Sequence, residues 1–279
     1  FDKEEIEKPA IDLMRAARPL LMEWAKEGTK MRQIEALGAV YDGTTYANYG
    51  DSAAGANDTW NTNNSSTDRI LYGAATSNNT EGNHTTSLAT IDVTNDKMTP
   101  EMVSLAKRLA QQADPHIRPI RSEMNDEFYI MYMDPYAFRD LSEDSTMSQA
   151  NRDARERGTG NPIFQGGDLL YNGVICRSIP EIATKIDGTS SDGVWGANAT
   201  ADGLDTAGLT SNRVSMNFLC GQQAVSWGLG VRPRMEVDNT YDYRFQPGVA
   251  VELKEDIQGS YFNNIQHGHI KVFASSAVD

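Results

Sequence analysis

Phe128-Tyr129-Ile130-Met131-Tyr132-Met133, followed at once by Asp134-Pro135, is the stretch whose reading decides the fold. Six apolar or aromatic residues in a row are the signature of a strand buried on both faces. Asp134-Pro135 ends that strand and starts a short helix through Ala137 and Leu141, because proline suits the first helical position, where no N–H is needed. Upstream, Thr99-Pro100-Glu101 reads as a second helix start. Thr99 is its cap, Met102, Leu105, Ala106 and Leu109 form its apolar face, and the helix ends before Pro115. Downstream, Asn172-Gly173 lies between Leu169-Leu170-Tyr171 and Val174-Ile175-Cys176. That pattern is a hairpin, since both central residues of the turn need positive φ.

Farther out, the chain opens with a long helical pattern. Ile6, Ala10, Leu13, Ala17, Leu20, Trp24, Met31 and Ile34 recur mostly at three- and four-residue steps, one face of a helix. Pro9 and Pro19 predict a late start or bends. From Tyr41 to Lys97 the composition turns to Gly, Asn, Ser, Thr and Ala, and only Asp68-Arg69-Ile70-Leu71-Tyr72-Gly73 can dock there as a short strand. A second such excursion spans Thr184 to Ser211. The last third alternates as strands: Tyr241, Tyr243 and Phe245, then Val249, Val251 and Leu253, and finally Ile270 to Phe273. Few helices and many strands define an α+β class.

Composition narrows the function. Twenty-five basic residues against 39 acidic ones give a formal net charge of −14, the opposite of a nucleic-acid grip. The basic clusters Arg118 with Arg121, and Arg152, Arg155 and Arg157, are offset by neighbouring acids. No apolar run approaches the roughly 18 residues that would span a bilayer. The acidic, polar opening from Phe1 to Pro9 does not have the form of a signal peptide. Cys176 and Cys220 sit in apolar, strand-like contexts and read as two buried thiols, not a disulfide framework.

Motifs for chemistry are weak throughout. There is no P-loop, no full dinucleotide fingerprint and no nucleophile elbow; Gly228-Leu229-Gly230 reads as a turn. His267-Gly268-His269 would put both imidazoles on one side of a strand, but a structural metal needs about four ligands. Asp126, Glu127, Asp134 and Asp140 could supply an acid–base pair, yet so acidic a chain offers such pairs by chance. Asp187 to Asp192 and Asp202 to Asp205 lack the spaced ligands of a calcium loop. The sequons at Asn57, Asn63, Asn64, Asn78, Asn83 and Asn198 follow from Asn/Ser/Thr-rich composition. Trp24, Tyr129, Met131 and Tyr132 read as core packing. No catalytic, cofactor or metal residue is assigned.

The order of segments carries more than any one of them. Leu20-Leu21-Met22-Glu23-Trp24 is followed by Asp68-Arg69-Ile70-Leu71-Tyr72-Gly73, Thr99-Pro100-Glu101 and Ile117-Arg118-Pro119-Ile120. Then come Tyr129-Ile130-Met131-Tyr132-Met133-Asp134-Pro135-Tyr136, Arg139-Asp140-Leu141, Asn161-Pro162-Ile163-Phe164, Tyr171-Asn172-Gly173-Val174-Ile175 and Phe218-Leu219-Cys220-Gly221-Gln222-Gln223-Ala224. This series resembles the major capsid protein family of tailed podophages like coliphage N-four, which has the Hong Kong 97 fold.

The resemblance implies a two-lobed subunit of an icosahedral head that catalyses nothing. Residues 1–98 would hold the spine helix and a long polar excursion of the peripheral lobe, 99–212 the axial lobe, and 213–279 strands returning to the peripheral lobe. Its partners would be copies of itself in hexameric and pentameric capsomers, with scaffolding, portal and decoration proteins. DNA would be enclosed without sequence-specific binding, and no membrane would be involved. Assembly is expected in the host bacterial cytoplasm. The family's N-terminal arm and extended β-hairpin loop are expected to have been cleaved or to lie upstream of Phe1. The competing expectation, from the Asn/Thr-rich loops and aromatic strands, is a secreted or surface β-rich carbohydrate-binding protein; glycan mass on the intact chain separates the two.

Overall fold

The computed structural model describes residues 13–41, 46–47, 69–80, 86–87, 90–92, 94–121, 126–155, 169–182, 212–238, 248–263 and 265–277. Helix α1 (Leu13–Gly38) runs through Pro19 without ending. The short pair β1 (Val40–Tyr41) and β2 (Tyr46–Ala47) follows, then β3 (Ile70–Tyr72) and one 3-10 turn at Thr76–Asn78. Helix α2 (Pro100–Gln112) starts as the sequence requires: Thr99 is extended and its hydroxyl accepts from Met102 N at 3.3 Å. After β4 (Ile120–Arg121) comes β5 (Glu127–Met133), stopped by Asp134, whose carboxylate caps α3 (Pro135–Glu143). Helix α4 (Ser145–Arg155) precedes the hairpin β6 (Leu169–Tyr171) and β7 (Val174–Ser178). Its turn has φ of 48° at Asn172 and 73° at Gly173, the left-handed pair that Asn-Gly tolerates. The chain closes with β8 (Asn212–Cys220), β9 (Val225–Asp238), β10 (Gly248–Gly259), β11 (Tyr261–Phe262), β12 (Ile265–Gln266) and β13 (His269–Ala277).

Two compact units divide these elements. The larger comprises Leu37–Val225 and Gly259–Asp279, the smaller Phe1–Ala36 and Ser226–Gln258. In the larger unit a mixed sheet has the order β3-β13-β8-β5-β7-β6, with β4 on the edge of β5. Its spine is the antiparallel pair β8 and β13, in register over nine residues from His269↔Cys220 to Ala277↔Asn212. β3 joins β13 in parallel, and β7 joins β5 in parallel. One face of this sheet, with Leu71, Ile270, Val272, Leu219, Met131 and Cys176, packs against Met102, Val103, Ala106 and Ala110 of α2 and Leu141 of α3. The tripeptide Ile70-Leu71-Tyr72 is buried throughout, as its apolar content requires.

β5 is less enclosed than its sequence suggests. Tyr129, Met131 and Met133 are buried, while Phe128, Ile130 and Tyr132 are half-buried. The helices cover the face that carries the first set, and the second set faces the other way along the alternating strand. A continuous apolar run records that water is limited on both sides, but not by how much.

In the smaller unit β9 and β10 form a two-stranded ribbon. Gly228-Leu229-Gly230 lies inside β9 and is not the turn its glycines suggest. A Cβ at Gly228 or Gly230 would make ordinary contact with β10, at 3.7 Å from Asp256 O and 3.5 Å from Lys254 O. The governing signal is the period of two through Trp227, Leu229, Val231, Met235 and Val237. The expected strand around Tyr241, Tyr243 and Phe245, the excursion Thr184 to Ser211 and Asn161-Pro162-Ile163-Phe164 lie outside the described residues.

Candidate self-association surface

The smaller unit is built around one buried carboxylate. Glu255 on β10 has a fully buried side chain. Its Oε1 accepts from Thr29 Oγ1 at 2.7 Å and from Arg32 Nη1 at 2.5 Å, and its Oε2 accepts from Trp227 Nε1 at 3.2 Å. Helix and ribbon are thereby locked through Thr29 and Arg32, on the side of α1 that also carries the buried Ala25. On the ribbon's polar face Arg234 pairs with both Glu252 and Glu236.

Large apolar side chains also stand exposed on this unit. Leu20 is 70% and Trp24 68% exposed, an i,i+4 ridge turned away from the Glu255 side. Trp227, Leu229 and Val237 are exposed on β9. Five of the six large exposed apolar side chains among the described residues thus belong to the smaller unit; the sixth is Phe262. Trp24 and Leu20, read from the sequence as part of the core-facing stripe, are therefore surface residues. Their periodicity is real, but it marks a second face of the helix. An exposed Leu/Trp pair one helical turn apart is the kind of apolar ridge that interaction sites use, and aromatic anchors dominate such contacts.

Several of the residues weighed for chemistry make structural contacts. His267 and His269 do not form a pair. His269 is fully buried at the start of β13: its Nε2 donates to Leu37 O at 2.7 Å and its Nδ1 accepts from Gln266 Nε2 at 2.6 Å. His267 lies edge-on to Phe262, ring centroids 6.0 Å apart. Among the described residues no group of three or more His, Cys, Asp or Glu could hold a metal. Asp134 is buried as the α3 cap, and Glu127 is bridged to Arg121 at 2.9 Å. Cys176 and Cys220 are free and buried, and burial raises the Cys220 thiol pKa. Of the sequons only Asn78 is described, in the 3-10 turn; the acidic loops Asp187 to Asp192 and Asp202 to Asp205 lie outside the described residues. No described helix is long and apolar enough to cross a membrane.

Burial with positive neighbours makes His269 an acid-sensitive point. Desolvation first, then the charges of Lys271 and Arg69, push its pKa down to about 3 from 6.5. Between those values the unfolded chain binds a proton that the native chain refuses, so stability falls as pH drops from about 6.5 towards about 3. The loss is on the order of several kcal/mol across that window. Lys271, lowered by burial to about 7, adds a further rise in stability between pH 7 and 10.5 by the same sign. Urea midpoints at pH 4 and pH 7 should differ strongly in the native sequence and much less in His269→Gln. Equal pH dependence in the two would overturn the assignment.

The described residues thus form an α+β chain whose smaller unit carries exposed large apolar side chains. Residues 2–275 match the family described as phage capsid protein, and the chain belongs to that family. The major capsid protein of Pseudomonas phage KPP25 is 29% identical over 163 residues, which are 58% of this chain and 40% of that relative's length. Among solved structures, the cyanophage Pam1 capsid asymmetric unit is similar over 100% of this chain and 73% of its own, with a TM-score of 0.78 and 31% identity. The capsid of Ralstonia phage GP4 is similar over 100% and 71%, with a TM-score of 0.66 and 20% identity, a likeness of fold. The fold is thus the α+β Hong Kong 97-type fold of phage capsids.

Proposed function

We propose that the chain is a self-assembling structural subunit of an icosahedral phage head that encloses double-stranded DNA. The observation that carries this reading is its likeness to the Pam1 capsid chain across its whole length. The apolar surface of the smaller unit supports it, since repeated modest contacts between copies add up through multivalency. The smaller unit, with α1 and the β9–β10 ribbon, takes the role of the peripheral lobe, and the larger unit that of the axial lobe. On this reading β3, β8 and β11–β13 belong to the axial lobe, whereas the expected bounds of 1–98 and 213–279 gave them to the peripheral one. Capsomers of six and five copies assemble in the host cytoplasm, with scaffolding, portal and decoration proteins as further partners. The subunit performs no catalysis, and its net charge of −14 suits a wall that encloses DNA without trapping it. Sedimentation velocity of the purified chain over a range of concentrations tests the reading. A transition to fast-sedimenting closed species is expected; one slow species at every concentration would contradict it.

A further inference from the structure

Between α2 and β4 the chain is fixed to its surroundings by a dense set of hydrogen bonds. Ala113 N and Ile117 N donate to Leu109 O and Ala110 O, both at 2.9 Å. Arg69 Nη2 donates to Pro115 O at 2.7 Å, Tyr129 OH to Ile117 O at 2.9 Å and Gln222 N to Arg118 O at 2.9 Å. Gly221 permits the last of these: a Cβ there would stand 2.4 Å from Arg118 O and 2.6 Å from Ile117 Cγ2. A backbone held from α2, β5, the end of β8 and the approach to β3 presents its outward side chains in one arrangement.

Those side chains line a cavity of about 580 Å³ with Gln111, His116, Arg118, Arg121, Glu127 and Gln222 on its walls. Arg121 and Glu127 neutralise each other at 2.9 Å. Among the described residues, the Arg118 guanidinium, the His116 imidazole and the side-chain amides of Gln111 and Gln222 have no partner. The cavity is therefore rich in free donors around one uncompensated cation, on a chain that is otherwise strongly acidic.

We infer that this cleft receives a carboxylate from an acidic segment of a second copy of the chain. Arginine flanked by amides suits a planar carboxylate, which it can bind through two parallel hydrogen bonds. Copies of a chain with 39 acidic residues supply carboxylates in abundance. A DNA backbone would need a row of cations, whereas the cleft offers one free guanidinium beside the carboxylate of Glu127. The inference rests on the shell-subunit reading for the identity of the partner, but not for the chemistry of the cleft.

The test uses a fluorescent octaglutamate peptide, an oligothymidylate and the purified chain at low salt. The peptide is expected to bind, with Arg118→Glu weakening it about tenfold or more. Lys26→Glu, the same charge change on exposed α1, should leave the affinity unchanged. Arg118 is exposed and only its backbone oxygen is engaged, so circular dichroism and thermal midpoint should not move. In light scattering, Arg118→Glu should also slow association between copies. No peptide binding, equal affinity in Arg118→Glu, or tighter binding of the oligothymidylate overturns the inference. If the unsubstituted chain associates and Arg118→Glu keeps pace with it, the second copy is the wrong partner while the shell reading stands. If the unsubstituted chain never associates, the shell reading fails, and with it the second copy as partner; the peptide measurement still decides the chemistry of the cleft.

Discussion

Gly268→Ala is expected to destabilise the native fold severely, well beyond the effect of most single substitutions. An ideal Cβ at this position would lie 1.8 Å from Gln223 O, 2.2 Å from Gln223 C and 2.4 Å from Ala224 Cα. All three are backbone atoms, so no rotamer change relieves the overlap. The turn they belong to is tied back by Gly221 N donating to Gly268 O at 2.8 Å, and Gly268 N is held by Gln266 Oε1 at 2.9 Å. The next residue opens β13, where the pairing His269↔Cys220 begins the nine-residue register at the centre of the sheet. Shifting Gly268 to make room displaces that register. Overpacking a core by a methylene costs about 1–3 kcal/mol when side chains can adjust; against fixed backbone at least ~3 kcal/mol is expected, a large part of a typical 5–15 kcal/mol stability. Gly28→Ala is the matching control, since its Cβ would meet only Arg32 Nη2 at 3.9 Å; it should raise stability by about 0.5–1 kcal/mol. Denaturant midpoints and far-ultraviolet circular dichroism read both. A Gly268→Ala chain with an unchanged midpoint would mean the close approach of the two segments is wrong.

The second large effect is on association, not folding. Leu20→Lys combined with Trp24→Lys should leave the chain folded and raise the concentration needed for assembly by at least about a hundredfold, since losing ~3 kcal/mol of apolar burial per contact is a factor of ~100. Both side chains are more than two-thirds exposed when the chain is alone, so folding has little to lose. The lock at Glu255 uses the other side of α1 and stays intact. Trp24→Phe should retain most of the association. An unfolded double variant would return both residues to the core; undiminished association would remove them from the contact surface.

That reversal at Leu20 and Trp24 shows where sequence reading stops. Local rules were sufficient wherever one residue type answers one backbone need. Thr99 and Asp134 cap their helices, Asn172-Gly173 takes the left-handed turn, and Ile70-Leu71-Tyr72 finds a buried edge place beside β13. The period of α1 was legible too, but a helix with apolar residues on two sides does not say which side meets its own ribbon. That choice depends on Glu255, more than two hundred residues away. Gly228 and Gly230 misled in the opposite direction, because two glycines outweighed the alternation of Trp227, Leu229 and Val231 around them. At His267-Gly268-His269 attention fell on the imidazoles, whereas the steric demand lies on the glycine between them. The donor cleft drew on Arg118 and Arg121, visible as a basic cluster, but also on Gln111 and Gln222, which only the fold brings there.

Electron microscopy of the purified chain under assembling conditions shows whether its copies close into a shell. Closed isometric shells of uniform diameter, or the capsomers that build them, are the expected images. Fields of separate small particles, unchanged at the highest concentration reached, would contradict it.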